Sequence, residues 1–168
     1  MDKKEARLYC LTKRKENDKE KAKEDVIKAI IESDILNAYD HIGIYYPIGD
    51  EINIMPLMSL YRSKSFYLPK TEEEISFIKY DLGQTLFKGP FHTLEPKGEV
   101  VKRDMIECFI IPCVAITKDN YRIGYGKGYY DRYLAGYKGK KIGITYSNTI
   151  LDCNADSFDV LLDDIFVG

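Results

Sequence analysis

Arg122-Ile123-Gly124-Tyr125-Gly126-Lys127-Gly128-Tyr129-Tyr130-Asp131-Arg132 is the stretch around which this chain is organised. Three of its twelve glycines alternate here with tyrosine and lysine, between two arginines and just ahead of an aspartate. Glycine at every second position lets the backbone approach a bound group without interference from Cβ. Inward-turned N–H groups followed by a helix start form an anion site of the phosphate-binding kind. Lys127, Arg122 and Arg132 add full charges, and Asp131 is a carboxylate able to hold a divalent cation that bridges phosphates. A passive hairpin or helix-entry turn would also need flexible residues, but it has no use for three cations set in a glycine lattice.

Outward from this loop, apolar runs alternate with helical segments. Met105 to Ile111 is a continuous apolar strand suited to the middle of a parallel sheet, and Lys141 to Tyr146 is another. His41 to Pro47 reads as a buried strand, followed by Gly49-Asp50-Glu51 turning into a helix through Leu60. Lys64 to Pro69 and Ile75 to Tyr80 are short strands separated by an acidic turn. A short helix after the glycine loop runs to Ala135 and is stopped by Gly136. Two helices open the chain, Asp2 to about Lys15 and a second capped by Asp18 and running to about Asp34. The pattern predicts an α/β fold: a single three-layer domain over residues 1–168, with a largely parallel sheet and helices on both faces. The N-terminal helical segment, about residues 2–35, is expected to pack on the α/β core.

Composition narrows the function classes. With 168 residues, 45% apolar content and a net charge of −2, the chain is an ordinary globule, neither disordered nor coated for nucleic acid. Residues 1–25 hold nine Lys or Arg, whereas the chain from Ser147 onward holds none and contains five Asp. The cysteines (Cys10, Cys108, Cys113, Cys153) show no CxxC spacing, and no secretory core opens the chain, so reduced thiols in a cytoplasm are expected. His41 and His92 have no partner at metal spacing, which argues against zinc. The longest apolar run, Cys108 to Ile116, is about half a membrane span and is broken by Pro112. Neither nucleic acid nor membrane is expected as a partner, and the chain is expected to act as a monomer.

Candidate site residues lie on both sides of the loop. Lys3, Arg7 and Arg14 fall within about 40° of one another on a helix, one face that can approach a polyanion or simply remain solvated. Glu51 stands beyond the end of a strand, where ligand contacts collect in α/β sheets, but taken alone it reads as a helix-start carboxylate. Tyr46, taken alone, is a core aromatic, and Asp159, taken alone, is one more surface aspartate in an acidic tail. Cys113 has no evident activator and reads as a buried small residue. His92 reads as packing or solvent-facing.

The stretch from Arg122 to Arg132 closely resembles the signature of the 5-formyltetrahydrofolate cyclo-ligase family, also called methenyltetrahydrofolate synthetase. The resemblance continues in order across almost the whole chain: Lys3-Lys4-Glu5-Ala6-Arg7 with Arg14, Glu51-Ile52, Pro69-Lys70, Gly89 to Pro96, Pro112 to Ile116, and Phe158-Asp159-Val160-Leu161-Leu162-Asp163. It implies an enzyme that uses ATP as co-substrate and Mg2+ to close 5-formyltetrahydrofolate into 5,10-methenyltetrahydrofolate, with release of ADP and phosphate. It implies ATP contacts from Lys3, Lys4, Arg7, Arg14 and the loop from Arg122, Ile123, Gly124, Tyr125, Gly126, Lys127 and Gly128 to Tyr129 and Tyr130. Folate contacts are implied for Tyr46, Glu51 and Arg7 and for Tyr125, Gly126, Lys127, Gly128 and Tyr129. Asp131 and Asp159 would hold the metal, and Lys127 and Arg122 would serve the phosphoryl transfer. The sequence departs from the family pattern at Ala6 for Leu, Asn53 in the segment after Glu51, His92 and Cys113 for Gly, and Phe158 for His. From the residues alone, two other readings stay open: a sugar-phosphate isomerase or transferase independent of ATP, and a non-catalytic nucleotide-binding module.

Overall fold

In the centre of the sequence, successive apolar side chains point to opposite sides of each strand, and this sorting builds two cores. A computed structural model describes all 168 residues, Met1–Gly168. Its strands are β1 (His41–Gly43), β2 (Ser65–Thr71), β3 (Ile75–Tyr80), β4 (Phe87–Lys88), β5 (Leu94–Glu95), β6 (Val100–Val101), β7 (Cys108–Pro112), β8 (Ala115–Thr117), β9 (Arg122–Ile123), β10 (Lys140–Thr145), β11 (Ile150–Leu151) and β12 (Asp164–Val167). The helices are α1 (Lys3–Lys13), α2 (Lys19–Ser33), α3 (Leu57–Leu60) and α4 (Tyr129–Tyr133). Seven strands form the main sheet in the order β12-β10-β7-β1-β2-β3-β6. The first five are parallel neighbours, and β3 and β6 extend the edge antiparallel. Two small sheets, β11-β8-β9 and β4-β5, lie apart from it.

Ile42 and Ile44, Phe66 and Leu68, Cys108 and Ile110, and Ile142 and Ile144 share one core with Ala22, Val26 and Ile30 of α2. Tyr67, Phe109 and Ile111, their neighbours in sequence, share the other core with Tyr130, Leu134 and Tyr137 from α4 and the turn after it. Strands buried on both faces and covered by helices are what a mostly parallel sheet requires. A third cluster joins Ala6 and Cys10 of α1 to Val114, Ala115 and Ile123. Local chemistry sets the helix starts: Asp2 and Glu5 form a reciprocal capping box on α1, and Asp18 accepts the Lys21 N–H of α2. No helix is long and apolar enough to cross a membrane.

The expected helix from Gly49 through Leu60 is reduced to α3, residues Leu57–Leu60. Pro56 has no N–H to give to a helix interior and stands instead at the N-cap. Ahead of it, side chains satisfy the backbone in a non-helical path: Glu51 accepts the Ile48 N–H, Asn53 accepts the Met55 N–H, and the Tyr45 hydroxyl donates to Ile52 O. The central strand is shifted by three residues at its start, Cys108–Pro112, with Met105 45% exposed in a preceding turn.

The chain leaves β1 toward β2 on one side, whereas β7 lies on the other side of β1 and leads on to β10. Strands that neighbour each other while their connections depart in opposite directions leave a crevice at their C-terminal ends. The β1–β7 pair is tight at its middle. Phe109 packs against Phe77, Tyr133 and Tyr137, with ring centroids 4.9, 5.6 and 5.1 Å away. A Cβ at Gly43 would overlap that ring. Gly43→Ala is therefore expected to lower stability by about 1–3 kcal/mol in urea denaturation. In a Phe109→Ala background, itself costing about 3–5 kcal/mol, the added methyl enters vacated space and its penalty should largely vanish. Additive losses would refute this contact.

Candidate active site

The crevice opens into a cavity of about 470 Å³. Its floor is made where the parallel strands end: Tyr45 and Tyr46 after β1, Pro69 and Thr71 in β2, and Pro112 of β7. Lys3 and Arg7 of α1, the glycine loop, and the segment carrying Phe91 and Glu95 complete the walls.

The glycine loop is held open by its neighbours. Arg7 Nε donates to Gly124 O at 2.7 Å. Gly126 and Gly128 have φ of 98° and 72°, the left-handed region where a side chain would be strained. A Cβ at Gly126 would also lie 3.3 Å from Arg7 Cζ, so the guanidinium can rest close against the loop. The backbone N–H groups of residues 124 to 128 make no hydrogen bond within the protein. They are the donors an anion would use. Arg122 is buried, donates from Nε to Pro112 O at 2.8 Å, and lies 4.6 Å from the Tyr130 ring centroid. Lys127 is exposed, its ammonium 5.6 Å from the Phe91 ring centroid. Arg132 stands outside the cavity lining and braces the loop, pairing with Glu74 at 2.9 Å and donating to Lys127 O at 2.9 Å.

Two aspartates, Asp131 and Asp159, also line the cavity. Asp159, 7% exposed, pairs with Lys3 at 2.8 Å and accepts the Asp156 N–H at 2.7 Å. Lys3 also pairs with Asp156 at 2.9 Å and lies 5.1 Å from the Phe158 ring centroid. Burial pulls the Lys3 pKa down, but the Asp159 and Asp156 carboxylates more than offset it and hold it raised. Asp131 has a buried Oδ1 with no hydrogen-bond partner. Burial pushes its pKa up and nearby Asp159 adds to that, against the pull of Arg122. No cluster of three or more His, Cys, Asp or Glu side chains could hold a metal by itself.

Glu51 is 8% exposed and leaves its helix-start role unfilled, since no helix begins there. One carboxylate oxygen accepts the Ile48 N–H at 2.8 Å and the other accepts the Tyr125 hydroxyl at 2.9 Å. Burial raises its pKa, partly opposed by those two donors and by Arg14 and Arg122.

Of the residues singled out in sequence, Lys3, Arg7, Tyr46, Glu51, Arg122 to Asp131 and Asp159 all line the one cavity. Lys4 is exposed on α1 and stands outside that lining, as does Arg14, which is buried behind Tyr125. Tyr45, Ile48, Phe91 and Glu95 line it without having been singled out. No sequence signal pointed to Tyr45, because alternation along an extended segment would have turned it away from the face of Tyr46. Glu95 is placed by contacts distant in sequence, accepting the Thr71 N–H at 2.8 Å.

The model of the 5-formyltetrahydrofolate cyclo-ligase family matches residues 2–168. A 5-formyltetrahydrofolate cyclo-ligase of Mycoplasma pneumoniae is 38% identical over 130 residues, 73% of this chain and 69% of that protein. One of Haemophilus influenzae is 29% identical over 141 residues, 76% of this chain and 75% of that protein. The solution structure of a 5,10-methenyltetrahydrofolate synthetase of Aquifex aeolicus superposes with a TM-score of 0.86 at 32% identity, covering 99% of this chain and 90% of that one. The synthetase structure of Mycoplasma pneumoniae superposes with a TM-score of 0.82 at 31% identity, covering 99% and 98%.

The buried carboxylate gives a pH test of this geometry. The folded pKa of Glu51 lies above the unfolded value of 4.5, so between the two values the folded protein holds the extra proton. Stability therefore falls as pH rises through that window. Glu51→Gln removes the titration. The Tm of the variant relative to wild type should climb as pH rises above 4.5. A difference flat with pH would mean that Glu51 is not desolvated as described.

Proposed function

Since the chain belongs to the 5-formyltetrahydrofolate cyclo-ligase family, we propose that its cavity uses ATP and Mg2+ to close 5-formyltetrahydrofolate into 5,10-methenyltetrahydrofolate, with release of ADP and phosphate. One observation carries the reading: a single cavity joins five free backbone N–H groups and fixed cations to a buried carboxylate. Phosphates suit the first end and the N–H-rich heterocycle of a folate suits the second.

An amide oxygen is a weak nucleophile and a worse leaving group. Phosphorylating the formyl oxygen converts it into a leaving phosphate, and the neighbouring folate nitrogen then attacks the activated carbon. Such a transfer depends on positioning and on neutralising charge at the phosphoryl group. Arg122, tied to Pro112 O, supplies a charge already desolvated and oriented. Lys127, exposed and anchored only by an aromatic face, supplies a mobile one. Lys3 and Arg7 extend the cationic wall from α1, and Glu51 accepts from the pterin while Tyr46 and Tyr125 flank it. Asp131 and Asp159 fit Mg2+, which takes one or two carboxylates and completes its shell with phosphate oxygens and water. The partnerless buried oxygen of Asp131 supports that fit. When bound, the ion would neutralise phosphate charge; the carboxylates would hold it beside the loop. The same reading takes residues 1–168 as one domain acting as a monomer. A reducing cytoplasm accords with four buried free cysteines.

Methenyl product should form only when ATP and a divalent cation are both supplied, followed by its absorbance with each omitted in turn. Turnover without ATP, or none with everything present, would overturn the proposal. Lys127→Ala should lower kcat by on the order of tenfold to a hundredfold, as expected for lost charge stabilisation of a transition state. Its Tm should stay at the wild-type value, because Lys127 packs against little. An unchanged kcat would reduce Lys127 to a bystander.

A further inference from the structure

Lys3 and Arg7 reach the cavity, but Arg14, on the same side of the N-terminal segment, does not. Arg14 sits in the turn just after α1 and is 6% exposed. Its guanidinium lies 5.5 Å from the Tyr125 ring centroid, and Nη2 donates to the Tyr125 hydroxyl at 3.0 Å. That hydroxyl has a single hydrogen. With its oxygen already accepting from Arg14, the hydrogen is directed to Glu51 Oε2, 2.9 Å away. Tyr125 thus separates Arg14 from the cavity and passes its influence to Glu51. We propose that Arg14 is a positioning residue for Glu51, acting through Tyr125 to hold the carboxylate as a fixed acceptor for the heterocycle of the folate substrate. The role rests on the reading of Glu51 as the substrate anchor.

The surroundings leave few other groups to do this. Tyr45, Tyr130 and Tyr146 face Glu51 but are neutral, with burial pushing each hydroxyl pKa up. Cys113 is neutral as well, burial pushing its thiol up to about 11. Asp50 is occupied by Lys19 at 2.7 Å. Arg14 and Arg122 remain as the cations acting on Glu51. Arg122 is committed to Pro112 O, so only Arg14 reaches the carboxylate through a hydrogen-bond chain.

The test uses the full chain with Arg14→Gln, Arg14→Lys and Tyr125→Phe. In Arg14→Gln, KM for 5-formyltetrahydrofolate should rise on the order of tenfold, the loss of one charge-assisted link, while KM for ATP changes by less than about twofold. The acid limb of kcat/KM for the folate substrate should move up by about one pH unit, because Glu51 loses a cation that favours its ionised form. Arg14→Lys should restore the limb most of the way, and Tyr125→Phe should displace it in the same direction as Arg14→Gln. A residue serving only packing would lower Tm without moving the limb. Should Arg14→Gln not fold, Tyr125→Phe and Arg14→Lys decide alone. Unmoved limbs overturn the role, and so does a rise in ATP KM exceeding that of the folate. A wild-type protein that forms no methenyl product brings down the reading of the site and this role with it. A working wild type with unmoved limbs brings down only the role of Arg14.

Discussion

A guanidinium taken out of water must find hydrogen bonds or opposing charge, and much of this site is arranged by how Arg122 does so. Its Nε is satisfied by Pro112 O at the end of a central strand, and its face is covered by Tyr130 of the following helix. These two contacts tie the end of β9 to the start of α4, the two points between which the glycine loop runs. Gly124 lies against the guanidinium, and a Cβ there would collide with it. The glycine requirement at 124 thus has a cause separate from the positive φ that governs Gly126 and Gly128. The same charge reaches Asp131 and Glu51, lowering the pKa of each against the larger effect of burial. One desolvated cation therefore links the two ends of the cavity.

The glycine loop, the second helix and the parallel strands were legible because each rests on local chemistry: glycine at every second position of the loop, Asp18 at an N-cap, and continuous apolar runs along β7 and β10. What was not legible depends on partners far along the chain. The segment from Glu51 to Pro56 has helix-compatible residues but spends its polar groups on Ile48, Met55 and Tyr45. Arg14 shares the helical face of Lys3 and Arg7 by spacing and keeps a helical backbone, yet it stands about 16 Å further along the axis than Lys3, at a rise of about 1.5 Å per residue, and packs behind Tyr125. Periodicity could not foresee that cover. For Lys4 the family resemblance implied an ATP contact beside Lys3, while the helical rotation of about 100° per residue turns it to solvent.

The departures from the family pattern have physical readings too. His92 has φ of 61°, the left-handed conformation for which glycine is the ordinary choice, and Phe91 beside it has φ of 58°. Two such residues in succession store backbone strain of roughly 1–3 kcal/mol each in this wall of the cavity. Cys113 is buried with a thiol pushed up by burial to about 11, which makes it inert filling and not a nucleophile. Phe158 is 64% exposed and contributes an aromatic face beside Lys3.

The Lys3–Asp159 pair joins positions 156 residues apart. Loop-closure entropy opposes a contact of such long range until the segments between its ends have ordered. The wall of the crevice that carries Lys3 is therefore tied to the rest of the fold by a link that the unfolded chain seldom makes.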